Sequence, residues 1–233
     1  MSKTILHIIV EGETEQMFAN QLLVAHLSTR SVTVIPTGGA KSGKRFGVRK
    51  WAVALGDIER RLKSGNYCTT MVDFYAMPND WPGRSDSKDI PWNQRASLVE
   101  AQMMDVVNRK MGPKFNPKFF IPYVQLHEFE ALAFSDVRCL ADVVAPDNLE
   151  KAAAFEAKFA SMLSKAGHPE AINDGYETCP SRRIESVAPA YKKTLHGPIV
   201  TSRIGLDVLR QKCTHFGEWL TKLEQLNGSG TTP

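Results

Sequence analysis

The chain has 233 residues, of which 42% are hydrophobic and 23% are charged, and its formal net charge is +4 at pH 7. This length allows one sizeable α/β domain, with or without a large insertion, and the composition excludes a disordered, collagen-like or coiled-coil chain. The small positive charge permits a nucleic-acid partner without requiring one. No apolar run approaches the roughly 20 residues that cross a bilayer, so no membrane partner is expected.

The four cysteines lie far apart in the sequence, at Cys68, Cys139, Cys179 and Cys213. The lack of a Cys-x-x-Cys pair argues against a zinc site built on that spacing. The N-terminal apolar run is too short for a signal peptide and is not followed by a cleavage site. We therefore expect reduced thiols in a cytoplasmic protein.

The N-terminal segment predicts a strand, a helix and a second strand. Residues 4–10 are continuously apolar and rich in β-branched side chains, which is typical of a buried central strand. Glu11-Gly12 ends this run, and a helix is predicted over residues 14–27 with Thr14 as its N-cap. Residues 31–36 form the second predicted strand.

The middle of the chain continues this alternation. A Gly- and Lys-rich loop over residues 37–46 leads into a predicted helix over residues 49–63. The third strand, residues 69–75, is followed by a proline-rich loop at 77–91 and a helix at 94–111. A loop of this length in a compact domain is commonly functional.

The C-terminal part is predicted to be mainly helical. A fourth strand at residues 119–126 precedes a helix over 128–135. Residues 137–172 are Ala- and Lys-rich and helical in pattern, residues 173–181 predict a loop, and residues 202–226 predict one long helix or a helix pair.

Strands and helices alternate over the first 135 residues, which predicts an α/β fold with a mainly parallel sheet and helices on both faces. We predict a catalytic core at residues 1–136 and a helical part at 137–226 that packs on it. The Gly/Ser/Thr-rich residues 227–233 predict a flexible tail.

Acidic side chains follow three of the predicted strands. Glu11 follows the first strand, Asp73 lies near the end of the third, and Glu128 and Glu130 follow the fourth. Ligands of parallel sheets bind at the carboxyl ends of the strands, and clustered carboxylates repel one another unless a cation is bound. Mg²⁺ and Mn²⁺ prefer oxygen ligands, so these acids are candidate metal ligands and catalytic residues. Gly12 is a candidate for close approach of a ligand to the backbone.

An acid that follows a strand can instead complement the dipole of the next helix. We favour this interpretation for Glu13 and Glu15, which lie at the start of the first predicted helix. His127 precedes Glu128 and is more typical of a hydrogen-bonded histidine at a sheet edge than of a metal ligand.

Several segments, in order, resemble a known bacterial family. Residues 10–15, Val-Glu-Gly-Glu-Thr-Glu, are similar to the Glu-Gly motif of Toprim domains, especially in nucleases of the overcoming-lysogenization-defect type. The fuller set resembles the family called domain of unknown function 4276. The other segments that carry this resemblance are residues 72–78, 81–83, 125–132, 180–184 and 213–220.

The resemblance implies a Toprim-like (Rossmann-like) fold in which Glu11 and Asp73 hold Mg²⁺. The second acid of the Toprim Asp-x-Asp motif is Tyr75 in this chain, so Glu128 or Glu130 is the candidate for the missing carboxylate. The resemblance further implies cleavage or transfer at phosphodiesters of DNA or RNA, and an ABC-type ATPase as a partner in phage defence.

The Gly-rich loop carries Lys41, Lys44 and Arg45, which are candidate contacts to a nucleic-acid backbone. A solvated surface loop is the alternative. The loop nearly fits the P-loop spacing, but Arg45 replaces the Ser or Thr that would bind Mg²⁺. An NTPase is therefore only a third hypothesis.

A second basic segment contains Arg182, Arg183, Lys192 and Lys193. The first three are candidate nucleic-acid contacts, and Lys193 is the candidate to stabilise negative charge on a phosphoryl group during reaction. Ordinary surface side chains are the alternative for the lysines.

The sequence thus favours a nuclease that depends on Mg²⁺ or Mn²⁺. A non-catalytic nucleic-acid-binding or regulatory subunit on a degenerate Toprim scaffold is the alternative, and Tyr75 favours it. The choice between DNA and RNA, the general base, and the formation of a homo-oligomer stay open at this point.

Overall fold

A computed structural model describes residues 4–38, 50–172, 175 and 178–227. Lys41, Lys44 and Arg45, and the P-loop-like segment that contains them, lie outside the described residues. The chain divides into two compact units, of which the first contains residues 1–125 and 219–233 and the second contains residues 126–218. The predicted domains 1–136, 137–226 and 227–233 stay a prediction, because compactness alone does not define a catalytic domain.

In the part of the chain that the structure describes, the first unit is built on a five-stranded sheet. Its strands are β1 (Thr4–Val10), β2 (Val32–Gly38), β3 (Tyr67–Asp73), β4 (Phe120–Ile121) and β5 (Val124–Gln125). The strand order is β2-β1-β3-β4, with β5 also paired to β3, and all of these pairs are parallel. The predicted α/β class, with a mainly parallel sheet followed by a helical C-terminal part, is confirmed.

Helices connect these strands, as parallel pairing requires. They are α1 (Glu13–Phe18), α2 (Val24–Ser28), α3 (Trp51–Lys63) and α4 (Trp92–Met111), with a π-helical turn at Ala19–Leu23. The core of the unit contains alternate residues of β1, namely Leu6, Ile8 and Val10, because successive side chains of a strand point to opposite faces. In the described part of the chain, every helix is too short or too polar to span a lipid bilayer.

The prediction of one continuous fourth strand is wrong, because residues 119–126 contain two short strands. Pro122 has no N–H to donate to a ladder. The Thr70 hydroxyl bridges the gap, since it accepts from Tyr123 N at 2.9 Å and donates to Tyr123 O at 2.8 Å. The Glu100 carboxylate then accepts from Val124 N at 2.8 Å. Side chains thus replace the backbone partners that a continuous strand would supply.

The second unit is helical. It contains α5 (Val137–Val144), α6 (Leu149–Ala166), α7 (Pro180–Val187), α8 (Lys193–Ile204), α9 (Leu206–Lys212) and the first residues of α10 (Thr214–Glu224). The predicted α-helix over residues 128–135 is a buried 3₁₀ segment, Phe129–Ser135, and α7 was not predicted. Of the two alternatives predicted for residues 202–226, the helix pair is confirmed as α9 and α10. The pair begins later than predicted, because Gly205 has φ +79° and ends α8, and Cys213 has an extended backbone that separates α9 from α10.

Glu170 holds the first turn of α10. Its carboxylate is almost fully buried and accepts from His215 N and Phe216 N, each at 3.1 Å. Burial is the dominant effect, and despite these donors it raises the pKa of Glu170 above its ordinary value of 4.5. A raised pKa means that the folded state gains most from Glu170 below pH 4.5 and loses that gain as the pH rises through the folded pKa.

We expect Glu170→Gln to lower the free energy of unfolding by about 1–3 kcal/mol, because an amide has one oxygen and cannot accept both hydrogen bonds. The difference from the wild type should be largest below pH 4.5 and should shrink towards neutral pH. Urea unfolding over this pH range measures it, with exposed Glu218→Gln on the same helix as the control. A difference that grows with pH would contradict the prediction.

Candidate functional site

Two predicted site residues of the first unit lie at neighbouring strand ends. β1 and β3 pair in parallel up to Val10 and Met71, and the ladder continues where Glu11 N donates to Met71 O at 3.3 Å. Two residues further along β3, Asp73 N donates to the Glu11 Oε2 atom at 3.0 Å. The parallel register therefore brings Glu11 and Asp73 together, as the sequence predicted. Their role as metal ligands stays a prediction.

The two acids differ in burial. Asp73 is only 8% exposed, whereas Glu11 is half-buried. A buried carboxylate beside a second carboxylate is electrostatically costly unless hydrogen bonds or a cation compensate it. The hydrogen bond from Asp73 N also fixes the orientation of the Glu11 side chain. The neighbouring ends of β1 and β3 therefore hold two carboxylate side chains close together in a fixed arrangement.

Gly12 begins the first helix, and its role in close approach of a ligand stays a prediction. It is the N-cap of α1, where the sequence predicted Thr14, and its N–H donates to Glu15 Oε2 at 2.9 Å. Its backbone is extended, with φ −145°, so the conformation does not require glycine. Glu15 is buried and closes the first turn of the helix, which fits the interpretation of this acid as a helix N-terminal charge.

The loop over residues 74–91 begins directly after Asp73. Trp81 is buried in this loop and packs edge-on against Trp51, with 5.1 Å between ring centroids. The Asp80 carboxylate accepts from Trp51 N at 3.1 Å at the start of α3. Trp81 therefore anchors the loop to the body of the first unit.

In the second unit, Glu128 is held by two donors. Lys193 Nζ donates to Glu128 Oε1 at 3.1 Å, and Ser181 N at the start of α7 donates to Glu128 Oε2 at 3.0 Å. Burial alone would raise the pKa of Glu128, but the Lys193 ammonium and the Ser181 donors outweigh it, and the net effect lowers the pKa. Glu128 is therefore a carboxylate at neutral pH.

Glu130 shares the same lysine. Lys193 Nζ lies 3.6 Å from Glu130 Oε2, and Tyr191 OH donates to Glu130 Oε1 at 3.5 Å. Glu130 is 2% exposed, whereas the Lys193 side chain is 42% exposed. Burial and the nearby Glu130 charge raise the pKa of Tyr191, so its hydroxyl remains a donor. The structure thus brings Glu128, Glu130 and Lys193 together within one unit.

The backbone immediately before Glu128 is unusual. His127 is fully buried and has φ +65°, a left-handed conformation that side chains other than glycine adopt rarely. Non-glycine residues in this region cost about 1–3 kcal/mol, and they concentrate at functional sites and tight turns. Here the strained turn directs the chain into the 3₁₀ segment that carries Glu130.

The remaining predicted basic residues of the second unit have intramolecular contacts. Arg182 pairs with Glu185 at 3.0 Å, and Arg183 Nε donates to Thr178 O at 2.6 Å. Lys192 is exposed and forms the N-cap of α8. Their role in nucleic-acid binding stays a prediction.

Two residues that shape these sites were not predicted from the sequence. Glu100 supports the divided strand from α4, and its signal was an acid on the apolar face of a predicted helix. Ser181 holds Glu128 through its backbone N–H, which no side-chain pattern reveals.

Comparisons with known proteins identify the family of this chain. Residues 10–224 match the family model described as domain of unknown function DUF4276. No curated protein matches the sequence. The C-terminal region of the Burkholderia pseudomallei OLD protein is similar in structure, with TM-score 0.49, 16% identity, and coverage of 95% of this chain and 98% of that chain. The C-terminal region of the Xanthomonas campestris pv. campestris OLD protein gives TM-score 0.43, 14% identity, and coverage of 96% and 95%.

Proposed function

This chain belongs to the DUF4276 family, as its ordered motifs predicted, and we propose that it is a divalent-metal-dependent nuclease. The observation that supports this most is the pairing of Glu11 and Asp73 at neighbouring strand ends, joined by the hydrogen bond from Asp73 N to Glu11 Oε2 at 3.0 Å. Parallel α/β sheets bind their ligands at this edge.

The donor set fits Mg²⁺ or Mn²⁺. Both residues offer carboxylate oxygens, which are the ligands that hard divalent cations prefer. Within the described ranges of the chain, no group of three or more His, Cys, Asp and Glu side chains is arranged to hold a metal ion. Mg²⁺ is commonly bound by only one or two carboxylates together with water and substrate phosphates, so two acids are sufficient protein ligands for it.

In the proposed function, the carboxylates of Glu11 and Asp73 would bind the divalent cation and offset its positive charge. Asp73 is held by β3, and the Asp73 N–H fixes the Glu11 side chain. When bound, the metal ion supplies polarisation of the phosphodiester and a lowered pKa for water. The partly exposed Glu11 side chain is accessible to substrate, while buried Asp73 is the more rigid of the two.

The proposal also assigns a role to the charged cluster of the second unit, which contains Lys193, Glu128 and Glu130. Lys193 is the candidate to neutralise phosphoryl charge, with Glu128 and Glu130 as its partners and as further candidate ligands. The ammonium is oriented by two carboxylates, yet it remains partly exposed, as a group that contacts substrate must be. A partner ABC-type ATPase and a role in phage defence complete the proposed biological setting.

The test is cleavage of labelled single-stranded DNA, duplex DNA and RNA by the purified full chain, with Mg²⁺, Mn²⁺ or EDTA. We expect product with metal and none with EDTA. Mn²⁺ binding, measured by electron paramagnetic resonance, provides a second readout. If the chain neither binds Mn²⁺ nor cleaves any substrate, with or without an ATPase partner, the proposal is wrong.

A non-catalytic nucleic-acid-binding subunit is the second candidate, and Tyr75 favours it because it occupies the position of the second Toprim acid. This function predicts nucleic-acid binding without cleavage for every metal. The same assays separate the two functions, since binding without product supports the subunit.

A further inference from the structure

The loop over residues 74–91, which connects Asp73 to helix α4, has a fixed backbone around Arg84. Arg84 N donates to Trp81 O at 3.1 Å, and Arg84 O accepts from the Ser87 hydroxyl at 2.8 Å. Trp81 and Ser87 are both buried. The backbone of Arg84 is therefore anchored on both sides.

Gly83, directly before Arg84, presses the loop against α4. Its φ is +74°, and a Cβ at this position would lie 3.2 Å from Val99 Cα and 3.3 Å from Leu98 O. Both the conformation and the space therefore require glycine. The position from which the Arg84 side chain extends is set by this close approach.

The Arg84 guanidinium lies over the ring of Phe74, 4.1 Å from its centroid. Phe74 is buried and follows Asp73 directly in the chain, so the cation is held next to the strand end that carries this acid. Cation–π contact of this kind stabilises a desolvated arginine only in part. Within the described residues, the buried Arg84 Nε atom has no hydrogen-bond partner.

In the described part of the chain, the charged groups near Arg84 leave its positive charge uncompensated. Burial, followed by the like charge of Arg95, lowers the pKa of Arg84. Arg95 itself donates from Nε to Ile90 O at 3.0 Å, which is a neutral partner. The nearby acid of the same loop, Asp86, accepts from Gln102 Nε2 at 3.2 Å. A partly desolvated arginine beside a second arginine is a site for an incoming anion.

We propose that Arg84 binds a backbone phosphate of a nucleic acid and orients that strand beside Asp73. A guanidinium presents parallel N–H donors that match two phosphate oxygens, and it is more weakly hydrated than an ammonium. The inference rests on the proposed function in one respect, because it takes the ligand to be nucleic acid. It adds a binding residue outside the acidic positions and outside the two basic segments recognised in the sequence.

The experiment measures fluorescence anisotropy of labelled single-stranded DNA, duplex DNA and RNA with the full chain, in EDTA and in Ca²⁺, between about 50 and 200 mM salt. Arg84→Met keeps an unbranched side chain over Phe74 but removes the charge. We expect about tenfold weaker binding at the lower salt concentration. The slope of log affinity against log salt should fall by about 0.7 for single strands and about 0.9 for duplex, as the loss of one phosphate contact requires.

Arg60→Met is the matched control, since Arg60 is exposed and pairs with Asp57 at 2.9 Å, and it should leave the slope unchanged. Arg84→Lys should keep most of the slope because the charge remains. A purely structural role would lower the thermal midpoint of Arg84→Met without changing the slope, and this result would overturn the inference. So would a wild-type chain that binds none of the three probes.

The inference and the proposed function fail in different ways. A chain that binds with an Arg84-dependent slope but cleaves nothing would overturn the nuclease and leave the phosphate contact intact. Metal-dependent cleavage by the wild type, together with an unchanged salt dependence of binding in Arg84→Met, would support the nuclease and overturn the phosphate contact.

Discussion

Glu11→Gln is expected to reduce metal-dependent cleavage by at least about 100-fold, and Asp73→Asn to do the same, because several kcal/mol of transition-state stabilisation come from a bound metal ion. Both substitutions keep the size of the side chain and an oxygen acceptor. Gln at position 11 can still accept the hydrogen bond from Asp73 N, so the strand ends should keep their geometry. Single-turnover cleavage with Mg²⁺ measures the loss.

The controls for this pair are acids that the structure leaves on the surface. Glu13→Gln lies two residues from Glu11 and is exposed in the first turn of α1, and Asp105→Asn is exposed on α4. Both should stay within about twofold of the wild type, since surface changes of this kind usually have effects below about 0.5 kcal/mol. Weaker Mn²⁺ binding in Glu11→Gln and Asp73→Asn would assign the loss to the metal. Undiminished cleavage in both variants would refute the metal-site proposal.

The position of this acidic pair was predictable because strand ends are visible in the sequence. The apolar run at residues 4–10 is interrupted at Glu11, and the run that contains Asp73 ends within two residues of the predicted boundary. Parallel strands end at one edge of a sheet, so the two acids meet without any knowledge of their side-chain contacts. The hydrogen bond from Asp73 N to Glu11 depends on the register between β1 and β3, which the sequence does not reveal.

Other features depend on partners far away in the chain. The divided strand at residues 120–125 exists because Thr70 and Glu100 supply the missing hydrogen bonds. Lys193 reaches Glu128 across 65 residues, so its pairing could not follow from local spacing. Arg84 could not be predicted for a related reason. A single arginine in a loop forms no sequence pattern, and its contact with the Phe74 ring is visible only in the structure.

Trp219→Ala is expected to lower the free energy of unfolding by about 3–5 kcal/mol, which is typical for truncation of a buried aromatic side chain. Trp219 is 2% exposed and stacks on Tyr123 with 4.3 Å between ring centroids. Its Nε1 donates to Thr69 Oγ1 at 2.9 Å, and the Thr69 hydroxyl also contacts Ile121 O. Urea unfolding measures the loss, and exposed Leu149→Ala should change the stability by less than about 0.5 kcal/mol.

Trp219→Phe separates packing from the hydrogen bond. It keeps a ring against Tyr123 but removes the donor to Thr69, so a loss of about 1–2 kcal/mol is expected. In a double-mutant cycle with Thr69→Val, a coupling near 1 kcal/mol would assign this loss to the bond, and a coupling near zero would contradict it. Thr69 lies on β3, four residues before Asp73, so the folded Trp219→Phe variant should retain cleavage within a few-fold. A folded Trp219→Phe protein that loses cleavage as completely as Asp73→Asn would mean that α10, through β3, sets the position of Asp73 itself.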